Sequence, residues 1–406
     1  MPFALSRLEH FYAQMETTYG QVPNTTGTAT VGNNNFIRHI KFSPRPNTAI
    51  IERPDKTGSR SRPVGQLGRK NASWNLSLSA AMNGVAGTAP DADPLIQMGM
   101  GQAGAAMAGT ASVTAAPATT PVVATATNTF ANGDVVNVTN GGTYVGTFLL
   151  SAVSGSAVTL LGSVSSQAAS INGGTLSRVG YRYKLSDSIT SGSLWSFRTP
   201  STIDQRVVSG AVCQEYQAHI GRDFAELMFQ GEGLWMLSSN QFSVADVTQK
   251  SGLTTFPTEP TTPVANGNFI TGFTGLIVVN GNVISTIQTL DVRCGFQSQT
   301  VRDTFGTYYP TGTQGDVRTV GTSFRLYEDD SAAYQNLIQI AEARTPVTIF
   351  GVLGNTPGNI MVHVLNNVQI SAPDYEESIR YVSSFPESTA HETATGAHDE
   401  LVIWAM

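Results

Sequence analysis

The sequence predicts a mainly β fold: two similar β-sandwich or barrel domains, each with a short flanking helix, plus a small inserted β-domain. Three observations predict it. Charged residues fill only 13% of the 406 positions, against about 25% in an ordinary globular chain. Glycine, threonine, serine and asparagine take their place, which suits turn-rich β structure with uncharged polar surface. A motif near the start recurs near the end. Between the copies lies a stretch, 105–180, whose charges are Asp134 and Arg178.

The first copy of the motif runs from Gly68 through Ser73-Trp74-Asn75-Leu76-Ser77-Leu78 to Leu95-Ile96-Gln97-Met98. The second runs from Gly315 through Ser323-Phe324-Arg325-Leu326 to Leu337-Ile338-Gln339-Ile340. Each has a glycine-bearing polar loop, a Ser-aromatic-x-Leu strand and a short helix. A degenerate duplication predicts two copies of one domain. Fused repeats can also replace two subunits of a symmetric ring.

Residues 1–35 open on an amphipathic segment around Leu5, Leu8, Phe11 and Tyr12 and continue as a polar arm. Such an arm builds no core alone; it is disordered or docks on a neighbour. The first domain is expected over 36–104 and 181–249. It starts with strands Phe36–Phe42 and Ala49–Ile51 around a turn at Ser43-Pro44-Arg45-Pro46-Asn47. A long loop with Arg53, Lys56, Arg60, Arg62, Arg69 and Lys70 follows. Trp74, Leu76 and Leu78 then alternate with Ser73, Asn75 and Ser77, giving one apolar and one polar face. Asp93-Pro94 starts the first short helix, with Asp as cap and Pro in the first turn.

The 105–180 insertion begins as an Ala/Thr/Pro connector. Short apolar runs at 135–138, 143–150 and 157–161 follow, separated by Asn132-Gly133, Asn140-Gly141-Gly142 and Ser154-Gly155. This is the pattern of a small β-barrel or sandwich. Residues 250–266 form a Thr/Pro-rich linker. The second domain, 267–406, opens with a hairpin around Asn280-Gly281, a type I′ signal. Its own long loop, 300–321, carries Arg302, Asp303 and Arg318. The apolar end, Leu401–Met406, requires burial.

A net charge of −6 argues against the basic footprint of a duplex-binding protein, though not against passive contact with DNA. Cys213 and Cys294 sit among apolar residues and are expected as buried thiols; a disulfide would need the fold to bring them together. The first ten residues lack a signal-peptide pattern, and no run reaches the length of a membrane span. The protein is therefore expected to be made and kept in a cytoplasm, without membrane anchoring.

Nothing nominates catalysis. Gly99-Met100-Gly101-Gln102-Ala103-Gly104 fits G-x-G-x-x-G, but no acid follows at the required distance; a flexible exit from the helix explains it. His391 and His398 lack metal-ligand spacing. Asp329-Asp330 and Asp374, Glu376, Glu377 flank turns and read as a solvated rim. No nucleophile elbow is present. No enzyme activity, cofactor or metal is expected. The basic loop at 52–70 has three readings: a phosphate-binding patch, an inter-subunit arm, or a plain flexible loop. The arm is favoured because the loop at 300–321 shares its glycine and proline content but not its charge.

In order, the polar arm, the long loop at Arg53–Lys70, the Ser73–Leu78 strand, the Asp93-Pro94-Leu95-Ile96 helix, the late hairpin region and the closing Leu401–Trp404 strand resemble a tailed-phage tail tube protein of the long, flexible-tail type. The resemblance covers most of the chain outside the insertion. It implies that each tube domain is a β-sandwich with a flanking helix, and that six such domains close an inner barrel around a DNA channel. Two domains per chain imply rings of three chains with pseudo-sixfold symmetry, stacked through the long loops and arms. On this basis Arg53, Lys56, Arg60, Arg62, Arg69, Lys70, Arg302, Asp303 and Arg318 are expected at contacts between subunits or rings. Trp74, Leu76, Leu78, Phe324 and Leu326 are expected on inner-barrel strands. The implied partners are the chain itself, a tape-measure protein, tail-end proteins and DNA in passage. The implied place is the virion tail, assembled in the bacterial cytoplasm, with the insertion on the outside. Two other readings are a head decoration or baseplate component and, more remotely, a secreted adhesive or glycan-binding β-protein.

Overall fold

The computed structural model describes residues 8–25, 28–29, 31–52, 61, 64–116, 122–161, 168–198, 205–221, 223–240, 253, 255–264, 267–302, 304–377 and 379–406. The protein is mainly β, with several sheets, a closed six-stranded barrel and few helices.

A continuous antiparallel sheet organises the body. Across it run Lys41–Ile51, Gln66–Ser79, Glu226–Gly233, Arg206–Ile220, Ile287–Gly295, Thr319–Tyr327, Val382–Ala390 and Asp374–Glu376. The first four strands come from the first repeat and the last four from the second. The two motif strands, Gln66–Ser79 and Thr319–Tyr327, hold the second place in each group. The groups join where Arg206–Ile220 pairs with Ile287–Gly295, from Glu215 opposite Gly295 to Ile220 opposite Leu290. The alternation read from sequence decides the faces: Trp74, Leu76, Leu78, Phe324 and Leu326 are buried in the main core.

The long strand Arg206–Ile220 serves two sheets. Its first part pairs with Gly192–Arg198 and Trp235–Ser238, and that layer continues to Glu9–Met15 and Phe36–Ile37. Gly210 lies in the stretch where the layers diverge, at φ +60. A Cβ there would stand 2.9 Å from Leu234 Cβ and 3.2 Å from Gly20 Cα, so both conformation and space call for glycine. The Glu16 carboxylate fastens this corner, accepting the Gly210 and Gly20 N–H groups at 2.9 Å each and the hydroxyls of Ser191 and Ser193.

A second layer contains Asn282–Val283, Leu276–Val279, Val347–Leu353, Met361–Val368, Leu401–Ala405, Gly180–Lys184 and Ala105–Met107. The hairpin between its first two strands has Asn280 and Gly281 both at positive φ, as a type I′ turn requires. Helices Asp93–Met100 and Ala332–Ala343 contribute Leu95, Ile96, Leu337 and Ile340 to the main core.

The insertion is the barrel: Val122–Thr125, Ala157–Leu161, Thr143–Ser154, Val135–Asn140, Thr175–Ser177 and Thr110–Ala115 close on one another around their own apolar core. Closure leaves no free strand edge. Its outer residues Val135 and Leu149 pack against Phe350, Val362, Val402 and Trp404 of the second layer.

Several expectations change. The segment Glu9–Met15 is an integral strand rather than part of an arm, because Phe11, Tyr12 and Ala13 alternate into two cores and are fully buried. The turn expected at Ser43–Asn47 is strand: the ladder with Gln66–Ser79 runs on through Pro44 and Pro46. Those prolines have no N–H to give, so their nitrogens face the sheet's free side, where an edge strand tolerates them. The 250–266 linker is partly packed, with Leu253 buried and Phe256 against Trp195. Tyr181–Lys184, expected in the first domain, pairs with Val402–Ala405 of the second, so the two repeats interleave. Ala92, not Asp93, is the N-cap of the first helix; Asp93 instead accepts from Gln97 and the Tyr183 hydroxyl at 2.7 Å each. Cys213 and Cys294 are both free and buried, and burial pushes the Cys213 thiol up to about 12.

Candidate assembly surface

The eight-strand sheet turns its second face outward. Ser73, Asn75, Ser77 and Ser79 alternate with the buried Trp74, Leu76 and Leu78. By register the same face carries Glu226, Gln230 and Glu232, then Glu215 and Gln217, then Asp291 and Arg293, then Ser323 and Arg325. Two of its arginines are paired in the plane, Arg293 with Glu215 and Arg325 with Glu376, and the His219 ring hydrogen-bonds Asp291. Lys41 and Arg45 lie towards the free edge. The face is polar and rich in carboxylates.

At one end of this sheet, the hairpin Lys41–Ile51/Gln66–Ser79 meets the second repeat's long loop. That loop folds into the small hairpin Gln299–Val301/Gly312–Gln314. Lys70 donates its backbone N–H to the Tyr308 carbonyl at 2.8 Å. The Lys70 ammonium lies 5.5 Å from the Trp235 ring centre and 5.6 Å from that of Tyr309, cation–π distances. A cleft of about 860 Å³ opens between the two hairpins; its charged lining is Arg45, Arg69, Lys70 and Arg302 against Glu232. Burial pushes the Glu232 carboxyl up, but Arg302 and Thr300 outweigh it and hold the carboxyl below its ordinary range.

The structure thus brings together Arg69, Lys70 and Arg302 of the expected contact residues. Arg318 sits apart. It bonds Glu400 at 2.9 Å and stands 3.5 Å from Asp187, bracing the first repeat against the chain's last strand. Arg53, Lys56, Arg60, Arg62 and Asp303 lie outside the described residues. The G-x-G-x-x-G glycines are explained by packing: Gly101 ends its helix at φ +77 with the Ser188 carbonyl where a Cβ would be, and Gly104 lies against Tyr181 and Tyr183.

Sequence reasoning missed the exposed apolar residues. Of those that are large and exposed, most lie at the two ends of the sheet. Ile50, Ile51, Val64 and Leu67 crowd the first repeat's hairpin end, with Phe305, Tyr308 and Val317 on the second repeat's loop. At the opposite end are Ile40, Phe224, Phe269 and Phe273 in the first repeat, and Tyr375, Ile379 and Tyr381 in the second. Clustered apolar exposure marks contact surface, whereas scattered apolar residues do not. The available signal was apolar residues at or just beyond the ends of strands.

No protein-family profile matches this chain, and neither does any curated protein.

Proposed function

We propose that the chain is the structural subunit of a phage tail tube: three copies close a ring, rings stack, and the channel conducts DNA into the host. One observation carries this reading. Within a single chain, two four-stranded groups of like order already join edge to edge, through Arg206–Ile220 and Ile287–Gly295. The joined sheet keeps Lys41–Ile51 at one edge and the short Asp374–Glu376 at the other. Repeating the internal junction between copies removes both edges, which is what closing a sheet into a barrel accomplishes. The carboxylate-rich polar face would then line the channel, and phosphates would slide past it rather than bind. The apolar ends would supply head-to-tail contacts, which generate filaments instead of closed oligomers.

The test is negative-stain electron microscopy of the purified protein with native mass measurement of the smallest oligomer. Three-chain rings or hollow tubes are expected. A discrete closed oligomer without a channel would move the assignment to a head decoration or baseplate component.

A further inference from the structure

The two ends of the sheet differ between the repeats, and the differences are complementary. At the hairpin end the first repeat is cationic: Arg45, Arg69 and Lys70 face the cleft, while Arg302, from the second repeat's loop, is paired with Glu232. At the opposite end the second repeat is anionic. Asp329, Asp330, Asp374 and Glu377 are exposed there, beside the exposed Tyr375 and Ile379. Glu376 is already neutralised by Arg325, and the Arg380 guanidinium lies 5.3 Å over Tyr327.

The remaining pair of ends is aromatic. The second repeat's loop exposes Phe305 and Tyr308. The first repeat's opposite end exposes Phe224, Phe269 and Phe273, with Phe224 edge-on to Phe269 at 6.2 Å and Arg38 4.4 Å above the Phe269 ring. Like-with-like stacking, repeat one upon repeat one, would set the cationic cleft on the aromatic end. It would also set Phe305 on the carboxylates. Cross-repeat stacking matches cation to anion and ring to ring at once.

We infer that copies of this chain dock head to tail across repeats: the cationic hairpin end of repeat one seats on the acidic end of repeat two. In the same step the Phe305 loop of repeat two seats on the Phe224–Phe269–Phe273 end of repeat one. The occupant of each end is therefore a second copy of this chain. Successive rings are turned by one repeat, and the duplication, with its divergent charges, sets that rotation. The inference rests on the ring reading for its geometry and adds the register. Opposite charges select the matched register, and the other register leaves both charged ends against apolar rings without counter-charges.

The experiment reverses charge at each end. One variant carries Arg69→Glu and Lys70→Glu; a second carries Asp330→Lys and Glu377→Lys; a third combines all four, and none of these residues lies on the ring-closing edge strands Lys41–Ile51 and Asp374–Glu376. Rings and stacks are counted by electron microscopy and sedimentation. Each single-end variant is expected to form rings but to need at least roughly tenfold more protein to stack. The combined variant is expected to stack again. Wild-type stacking is expected to weaken as salt rises from low to several hundred millimolar. Rings that persist while the combined variant fails to restore stacking would overturn the cross-repeat register and leave the ring reading standing. Stacking that ignores salt would do the same, and holds whether or not a variant folds. Wild-type protein that forms neither rings nor tubes would overturn both.

Discussion

The Tyr216 hydroxyl and His363 Nε2 lie 2.7 Å apart in the sealed interior, with the two rings stacked at 6.2 Å. Tyr216 belongs to the first repeat's long strand and His363 to the second repeat's outer layer, so this hydrogen bond crosses between the repeats. His363 is fully buried, and its Nδ1 has no hydrogen-bond partner among the described residues. A neutral imidazole satisfies Tyr216 as acceptor; an imidazolium would place a bare charge in the core.

That pair makes stability depend on pH. Burial lowers the His363 pKa to about 4, from 6.5 in the open chain. Above pH 6.5 the stabilisation is complete. Below it the unfolded chain gains a proton that the folded protein refuses, so stability falls until about pH 4. The loss over that window is roughly 3 kcal/mol. Denaturant midpoints at pH 7.5 and 4.5 measure it, and His363→Gln should show a smaller difference between the two. An unchanged slope in the variant would assign the acid sensitivity elsewhere.

Asp134 ties the barrel to the body. Its buried carboxylate accepts Arg178 at 2.5 Å and the Ala131 N–H at 2.8 Å, and lies 3.5 Å from Arg182 on the neighbouring body strand. Asp134→Ala leaves two partly buried guanidiniums facing each other without their counter-charge. The cost is about 3 kcal/mol, the low end for a broken buried pair because Arg182 is 30% exposed. Limited trypsin digestion should then cut after Arg178 before it opens the body. Equal resistance of variant and wild type would refute the tether.

Adjacent residues on one strand should behave oppositely. Phe324 stacks on Phe385 at 4.6 Å inside the core, and Phe324→Ala should cost about 3–5 kcal/mol. Ser323 points to the polar face, and Ser323→Ala should stay within about 0.5 kcal/mol. Thermal melts of the two variants decide between the faces; similar losses would mean the outward face is packed.

Local patterning carries the class of the fold, the charge-poor insertion and the two-residue alternation that buries Trp74, Leu76, Leu78, Phe324 and Leu326. These are local properties: side chains alternate along a strand whatever its neighbour, and Asn280-Gly281 turns a hairpin without distant help. Which strands pair is settled by contacts between distant parts of the folded chain. Gly180–Lys184 crosses to Leu401–Ala405, and Glu9–Met15 leaves the expected arm for a core, because pairing partners are chosen by long-range burial and hydrogen-bond closure. The end surfaces were hidden for a related reason. Ile50, Phe224 and Ile379 look like core residues in sequence, and their exposure follows from where the sheet stops. The same limit applied to the charges: Arg69 and Lys70 were legible as a basic pair, but their meeting with Arg302 required the second repeat's loop to fold back onto the first repeat's hairpin.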